Sequence, residues 1–354
     1  MSSVIETPDL DGLRDQPVDT VIDNVGIALA IDVKYVASLL FTYRCTIACK
    51  HCLFNCSPRR PKVCVSYEDG LEFLRQLRQT DRVIHIAGGE AMMYYDEMLA
   101  ICRTANEMGC APHFIETNAI WCREDADVYA RFRALRDVGL RGVLLSADPY
   151  HQAFVPPDRR VRAFQCAVEV FGSENVIGSD LTNEALQEYR RIGRDETRLA
   201  EYSRSHPPQY VGRAGEELAQ FATRRPLEEL ADDMLWHHER PGSRNCRPEF
   251  DPDDMWEIHV DPHGNILTCC GITIGCAHTK PLIEWMAHGF HTANDLVRMV
   301  YDDGPYAYLD LAESHGYKRP EGYAQKCHLC WEVRKFLRPL YPETFGPQEI
   351  YEPV

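Results

Sequence analysis

Over residues 35–177 the chain alternates short apolar runs with longer stretches whose apolar residues recur at helical spacing, and few folds accommodate that pattern. Residues 35–43, 83–87, 113–117, 142–146 and 175–177 read as strands. Between them, 66–79 places Leu71, Phe73, Leu74 and Leu77 on one helical face, and 126–138 does the same with Phe132, Leu135 and Val138. Residues 95–108 and 160–171 complete the set of helices. Strands joined by whole helices lie parallel, so the fold class is α/β. If 209–211, after His206-Pro207-Pro208, supplies another strand, about six units are present. The expectation is a partial (β/α)6 TIM-like barrel rather than a closed barrel of eight. Residues 181–240 are charged and largely helical, and 1–24 are acidic and aperiodic, a mobile lead or a strap over the barrel.

Directly after the first strand, Cys45-Thr-Ile-Ala-Cys49-Lys-His-Cys52 sets three thiols in one short loop. A structural zinc site takes four N or S ligands, so three cysteines fall one short unless His51 or Cys56 joins. Thiolates equally suit an iron–sulfur cube, and three of them leave one iron free for another ligand. Gly88-Gly89-Glu90 closes the second strand; two glycines let backbone approach a ligand, and a carboxylate suits an ammonium group. Thr117-Asn118 and Ser146-Ala147-Asp148 end the third and fourth strands, so all four segments fall at the C-terminal mouth, where parallel barrels keep their chemistry.

After Gly242 the composition changes. Six of the 15 cysteines lie in the final third: Cys246, Cys269, Cys270, Cys276, Cys327 and Cys330. Residues 258–269 read as a hairpin that turns at 262–265 and runs into a cysteine. Adjacent strand residues point to opposite faces, so only one of Cys269 and Cys270 can aim at a given metal. On spacing alone this set also fits a structural zinc.

The net charge of −16, from 38 basic and 54 acidic side chains, argues against a basic nucleic-acid-binding surface. No secretory signal or membrane-length apolar run is visible, so the expected location is the cytoplasm, with no membrane partner. In that setting many cysteines point to metal or redox use rather than disulfides. Cys102, Cys110, Cys122 and Cys166 read as core thiols, while Cys56 and Cys64 follow the cluster loop closely enough to be considered as hydrogen-atom donors.

CxxxCxxC followed by Gly-Gly-Glu, in that order, resembles the radical S-adenosylmethionine (radical SAM) superfamily. The resemblance implies a 4Fe–4S cluster on Cys45, Cys49 and Cys52, with the amino and carboxylate groups of SAM on the open iron. It implies Gly88, Gly89 and Glu90 at the SAM amino group, and Asn118, Ser146 and Asp148 near its ribose or carboxylate. Gly212-Arg213-Ala214 resembles a segment that ends the sixth strand in several subfamilies, which would place Arg213 on a carboxylate of SAM or substrate. The glycine five residues before Cys269, with Cys246 upstream and Cys327-x-x-Cys330 beyond, resembles the SPASM extension. Because no cysteine follows Cys330, the shortened twitch form is implied, with one auxiliary cluster on Cys246, Cys269, Cys327 and Cys330 and with Cys276 unassigned. The division that follows is 1–34 as a lead, 35–240 as the barrel and 241–354 as the auxiliary-cluster domain.

The implied chemistry is one-electron cleavage of SAM to a 5′-deoxyadenosyl radical that takes hydrogen from a C–H bond, with flavodoxin or ferredoxin as electron donor. Fewer than fifty residues precede Cys45, which leaves no room for a leader-peptide-binding domain in front of the cluster. That favours a small sugar- or aminocyclitol-like metabolite over a peptide to be epimerised or crosslinked. A non-catalytic metal-binding scaffold is the reading from another class.

Overall fold

The computed structural model describes residues 10–231, 233 and 244–353. Eight strands form one sheet: β1 (Val36–Leu40), β2 (Val83–Ala87), β3 (Phe114–Thr117), β4 (Gly142–Leu145), β5 (Val176–Ile177), β6 (Glu257–Val260), β7 (Asn265–Leu267) and β8 (Thr273–Cys276), in the order β5-β4-β3-β2-β1-β6-β7-β8. β1 to β5 are parallel, each expected strand falling within a few residues of its expected place. Residues 209–211, expected as the sixth strand, are not a strand. The sixth parallel strand is β6, the first arm of the cysteine-bearing hairpin, which pairs directly with β1. A Pro207-Pro208 lead supplies no N–H groups for a ladder, whereas Glu-Ile-His-Val alternates and does. From β6 the sheet continues antiparallel into β7 and β8.

The helices follow the apolar spacing. Between β1 and β2 runs α4 (Tyr67–Arg78), whose first turn is capped by Ser66 Oγ accepting from the Asp69 N–H at 3.1 Å. It buries Phe73, Leu74 and Leu77 against the outer face of the sheet, where Ala37, Leu39, Ile84, Ile86, Ile115 and Ile258 point. Each such side chain contributes roughly 1.5–3 kcal/mol by leaving water. Helices α5 (Tyr95–Glu107), α6 (Asp125–Asp137), α7 (Pro149–Gln152) and α8 (Pro157–Phe171) complete the crossovers. α9 (Asn183–Arg194), α10 (Glu196–Ser205) and α11 (Gly212–Glu217) follow. The C-terminal helices α12 (Leu282–His288), α13 (Asp295–Asp303), α14 (Pro305–Ser314) and α15 (Lys326–Leu337) pack around the hairpin.

The lead differs from its aperiodic reading. Residues 10–33 hold three short helices, α1 (Leu10–Arg14), α2 (Val18–Val25) and α3 (Ile27–Val33). Val18, Val21, Ile22, Ile27 and Ala30 pack against Val36, Val83 and Phe114, the lowest inward-facing layer of the sheet. These helices plug the bottom of the open barrel instead of strapping its mouth. Among the described residues no helix is long and apolar enough to cross a membrane.

Candidate active site

The cluster loop leaves β1 and is held by backbone. Gly89 N–H donates to the Thr42 carbonyl at 2.6 Å, and Glu90 N–H to that of Arg44 at 3.0 Å. Gly88 sits at φ +111° with a Cβ position 2.6 Å from the Thr42 carbonyl oxygen, and a Cβ on Gly89 would overlap the Arg44 carbonyl. Both glycines are thus required by the approach of β2 to the cluster loop, quite apart from any ligand. The Glu90 carboxylate is turned inward. It accepts from Thr117 Oγ1 at 2.8 Å and Asn118 N–H at 2.9 Å, and burial raises its pKa to about 7.

Cys45, Cys49 and Cys52 line one cavity of about 430 Å³ together with Gly88, Gly89, Asn118 and Ser146. Asn118 Nδ2 lies 3.6 Å from Cys45 Sγ and 3.0 Å from Thr46 Oγ1. Cys52 Sγ accepts from the Cys56 N–H at 3.3 Å. Its thiol is drawn down to about 6, first by the Cys56 thiol and, against burial, by the Arg213 charge. Burial pushes Cys45 and Cys49 up. Three thiols lining one pocket, with N–H donors aimed at two of them, fit a cluster that would discharge them as thiolates.

Arg213 and Asp148 stand behind this cavity, and neither lines it. Arg213 donates to the Cys49 carbonyl at 2.8 Å and the Cys56 carbonyl at 2.7 Å, and its own N–H bonds the Cys52 carbonyl at 3.0 Å, so three bonds brace the cluster loop. Asp148 caps α7 by accepting from the His151 N–H at 2.9 Å, holds His151 Nδ1 at 2.6 Å, and lies 3.6 Å from His51 Nε2. His151 and His51 each bring a ring nitrogen within 4.8 Å of Cys49 Sγ.

The second cysteine set gathers in another cavity. Cys246, Cys269, Cys327 and Cys330, with Cys270, line it beside Glu249, Lys326 and Arg334. Cys246 is buried and pushed up to about 12, and Cys269, Cys327 and Cys330 are also raised by burial. Gln209 Nε2 lies 2.6 Å from Cys327 Sγ, and Arg334 Nη1 donates to the Cys270 carbonyl at 2.7 Å. Cys269 packs against the large core that holds Cys246 and Cys330, and Cys270 against the smaller one beside the cluster loop; both line the second cavity, and of the two Cys270 also lines the first. Cys276 lies on β8 and lines neither cavity. Of the two suggested thiol donors, Cys56 lines the first cavity and Cys64 does not. All 15 cysteines are free.

Five residues line both cavities: Leu53, Gln209, Glu257, His259 and Cys270. Sequence reasoning passed over Glu257 and His259, and also His85 and Glu116, which face them across the barrel. For His85 and Glu116 a signal was available, since each is an ionisable side chain in a largely apolar strand, whereas Glu257 and His259 alternate as a surface strand would.

Residues 39–179 match the family described as the Radical SAM superfamily. None of the curated proteins matches the sequence. Among solved structures, BtrN in complex with AdoMet and 2-DOIA is 15% identical, with a TM-score of 0.41 over 77% of this chain and 88% of that one. Native anSMEcpe with bound AdoMet and Cp18Cys peptide is 11% identical, with a TM-score of 0.41 over 87% and 96%. Through the match at residues 39–179, and with the cysteine triplet and the Gly-Gly-Glu turn set at one mouth of a parallel sheet, this stretch is a radical SAM domain, and the protein is an enzyme that uses a 4Fe–4S cluster, SAM and an external electron donor.

Proposed function

We propose that the enzyme is an oxidoreductase acting on a C–H bond of a small polar metabolite. In this reading Cys45, Cys49 and Cys52 hold the SAM-binding cluster. Cys246, Cys269, Cys327 and Cys330 hold one auxiliary cluster of the twitch kind, within a unit formed by residues 241–354. The observation that carries the reading is the meeting of two cysteine-lined cavities at Glu257, His259 and Cys270. When loaded, the first site supplies reductive cleavage of SAM and the second an acceptor for the electron left after hydrogen abstraction, which makes the net change an oxidation.

The chain's own residues position and enclose. Gly88, Gly89, Asn118 and Ser146 offer the wall on which SAM would lie. Glu90 fixes Thr117 and Asn118, and through Asn118 the Cys45 thiol. Phe54 stands edge-on to His259 with ring centroids 5.0 Å apart, an apolar wall between the cluster loop and β6. Flavodoxin or ferredoxin is the proposed electron donor, and the cytoplasm, where free thiols persist, the proposed location.

Anaerobic reconstitution with iron and sulfide, metal counting and a SAM-cleavage assay under dithionite test this. About eight irons per chain, and 5′-deoxyadenosine formation that disappears when Cys45, Cys49 and Cys52 are all replaced by Ala, are expected. About four irons with zinc retained would make the C-terminal set a structural zinc site. Neither iron nor SAM cleavage would sink the enzymatic reading.

A further inference from the structure

The inward face of the sheet is layered. At the bottom, Val36, Val83 and Phe114 pack on the N-terminal helices. At the top, Leu40 packs with the cluster loop. Packed barrels fill the layer between with branched apolar side chains. Here that layer is polar: Ser38 pairs in register with His85 on one side and His259 on the other, and Glu116 and Glu257 reach in from β3 and β6. His85 Nε2 lies 2.7 Å from Glu257 Oε1, and its Nδ1 lies 3.1 Å from Glu116 Oε1.

Although burial works against its charge, His85 is held protonated, up to about 10, by these two carboxylates. Burial pushes His259 down, towards the neutral form. Two carboxylates and one imidazolium leave one net negative charge. Ser38 Oγ, in register between the two histidines, makes no hydrogen bond, and His259 Nδ1 stands 3.4 Å from Glu257 Oε1. Glu116, Glu257 and His259 line the cavity below the cysteine triplet, and no lysine or arginine lines it among the described residues. An anionic substrate would meet two carboxylates there whose charge His85 only half offsets, and His151, which also lines the cavity, is already engaged by Asp148.

We propose that the substrate presents a primary ammonium group, flanked by hydroxyls, to Glu116 and Glu257, while His259 takes a neighbouring hydroxyl. This rests on the reading of the enzyme as one acting on a small polar metabolite, and names the class of metabolite. The charge-assisted bonds to two carboxylates would supply affinity and orientation, and the hydroxyl at His259 a further polar contact. The same charge disfavours phosphorylated and carboxylated metabolites.

The test uses reconstituted holoenzyme saturated with SAM and three ring-sized probes: scyllo-inosamine, myo-inositol and glucuronate. Calorimetric titration is expected to find the amine bound at least about tenfold more tightly than the neutral polyol, and the acid weakest. Glu116→Gln and Glu257→Gln should each shrink the preference for the amine while leaving SAM affinity unchanged. Binding of inosamine no tighter than inositol, including none at all, overturns the inference, as does a loss in the variants that falls on SAM. The comparison among probes uses the unaltered enzyme, so it decides even if a variant fails to fold. The two readings fail separately: loss of cluster-dependent SAM cleavage strikes the oxidoreductase proposal, whereas intact cleavage without amine preference strikes only this one.

Discussion

Replacing Arg213 separates two roles for one residue. By family resemblance it would meet a carboxylate of SAM or substrate, yet its guanidinium donates to the carbonyls of Cys49 and Cys56 and is 4% exposed. Hydrogen bonds from a charged donor are worth about 1.5–3 kcal/mol each, so losing two frees the loop by at least about 3 kcal/mol. That corresponds to roughly a hundredfold in the population of the cluster-ready loop. Arg213→Met, of similar length, is therefore expected to lose most iron from the SAM-binding site while retaining the auxiliary iron. Arg213→Lys, which can reach one carbonyl but not both, should fall between. Iron counting, the spectroscopic signal of the SAM-ligated cluster and the KM for SAM are the readouts. The molecules that keep their cluster should keep their KM. Full iron with a raised KM for SAM would refute the bracing role and return Arg213 to the cofactor.

Two further outcomes follow from geometry. Cys269→Ala should remove the auxiliary cluster and leave about four irons, whereas Cys270→Ala should keep about eight, because Cys269 lines the second cavity alone and Cys270 the wall that both cavities share; the reverse pattern would exchange their roles. Asp19→Asn should lower Tm at pH 7. Asp19 joins α2 to Arg78 of α4 and to His113, and these partners hold its carboxyl well below the usual range, the His113 bond foremost. A carboxylate depressed in the folded state stabilises above its unfolded pKa of about 3.9 and loses that contribution as pH falls through and below it. With Asp19 37% exposed the effect is screened to about 1 kcal/mol or less. The Tm difference between variant and parent should therefore close as pH drops below about 4, and a difference that persists in acid would show that the ion pairs are not its source.

The parallel strands and their helices were legible because period-2 and period-3.6 patterns are local, and Phe73, Leu74 and Leu77 announce α4 without knowledge of anything else. The cysteine sets were legible because their spacing is chemical. What escaped was non-local. Val18, Val21 and Ile22 carry a helical stripe, but the stretch is short and acidic, and its partner layer of Val36, Val83 and Phe114 is visible only once the sheet is assembled. Likewise the pairing of Glu257–Val260 with β1, across more than 200 residues, has no local signature. The missed pairing and the missed residues have one cause, since Glu257 and His259 look like hairpin surface until β6 enters the barrel.

That pairing explains why two cavities, rather than two distant sites, exist. Docking β6 beside β1 turns Glu257 and His259 into the lumen, and the hairpin then carries the chain through β7 to Cys269 and Cys270. Just beyond β7, Cys269 lines the second cavity alone and Cys270 the wall that both cavities share. α15 closes the second cavity from outside with Cys327 and Cys330, and Arg334 on the same helix ties back to the Cys270 carbonyl. A change that slipped β6 by one residue would turn Ile258 and Val260 inward and both polar side chains outward. It would abolish the polar layer and the shared wall together, so the substrate space and the route between the two cysteine sets depend on one strand register.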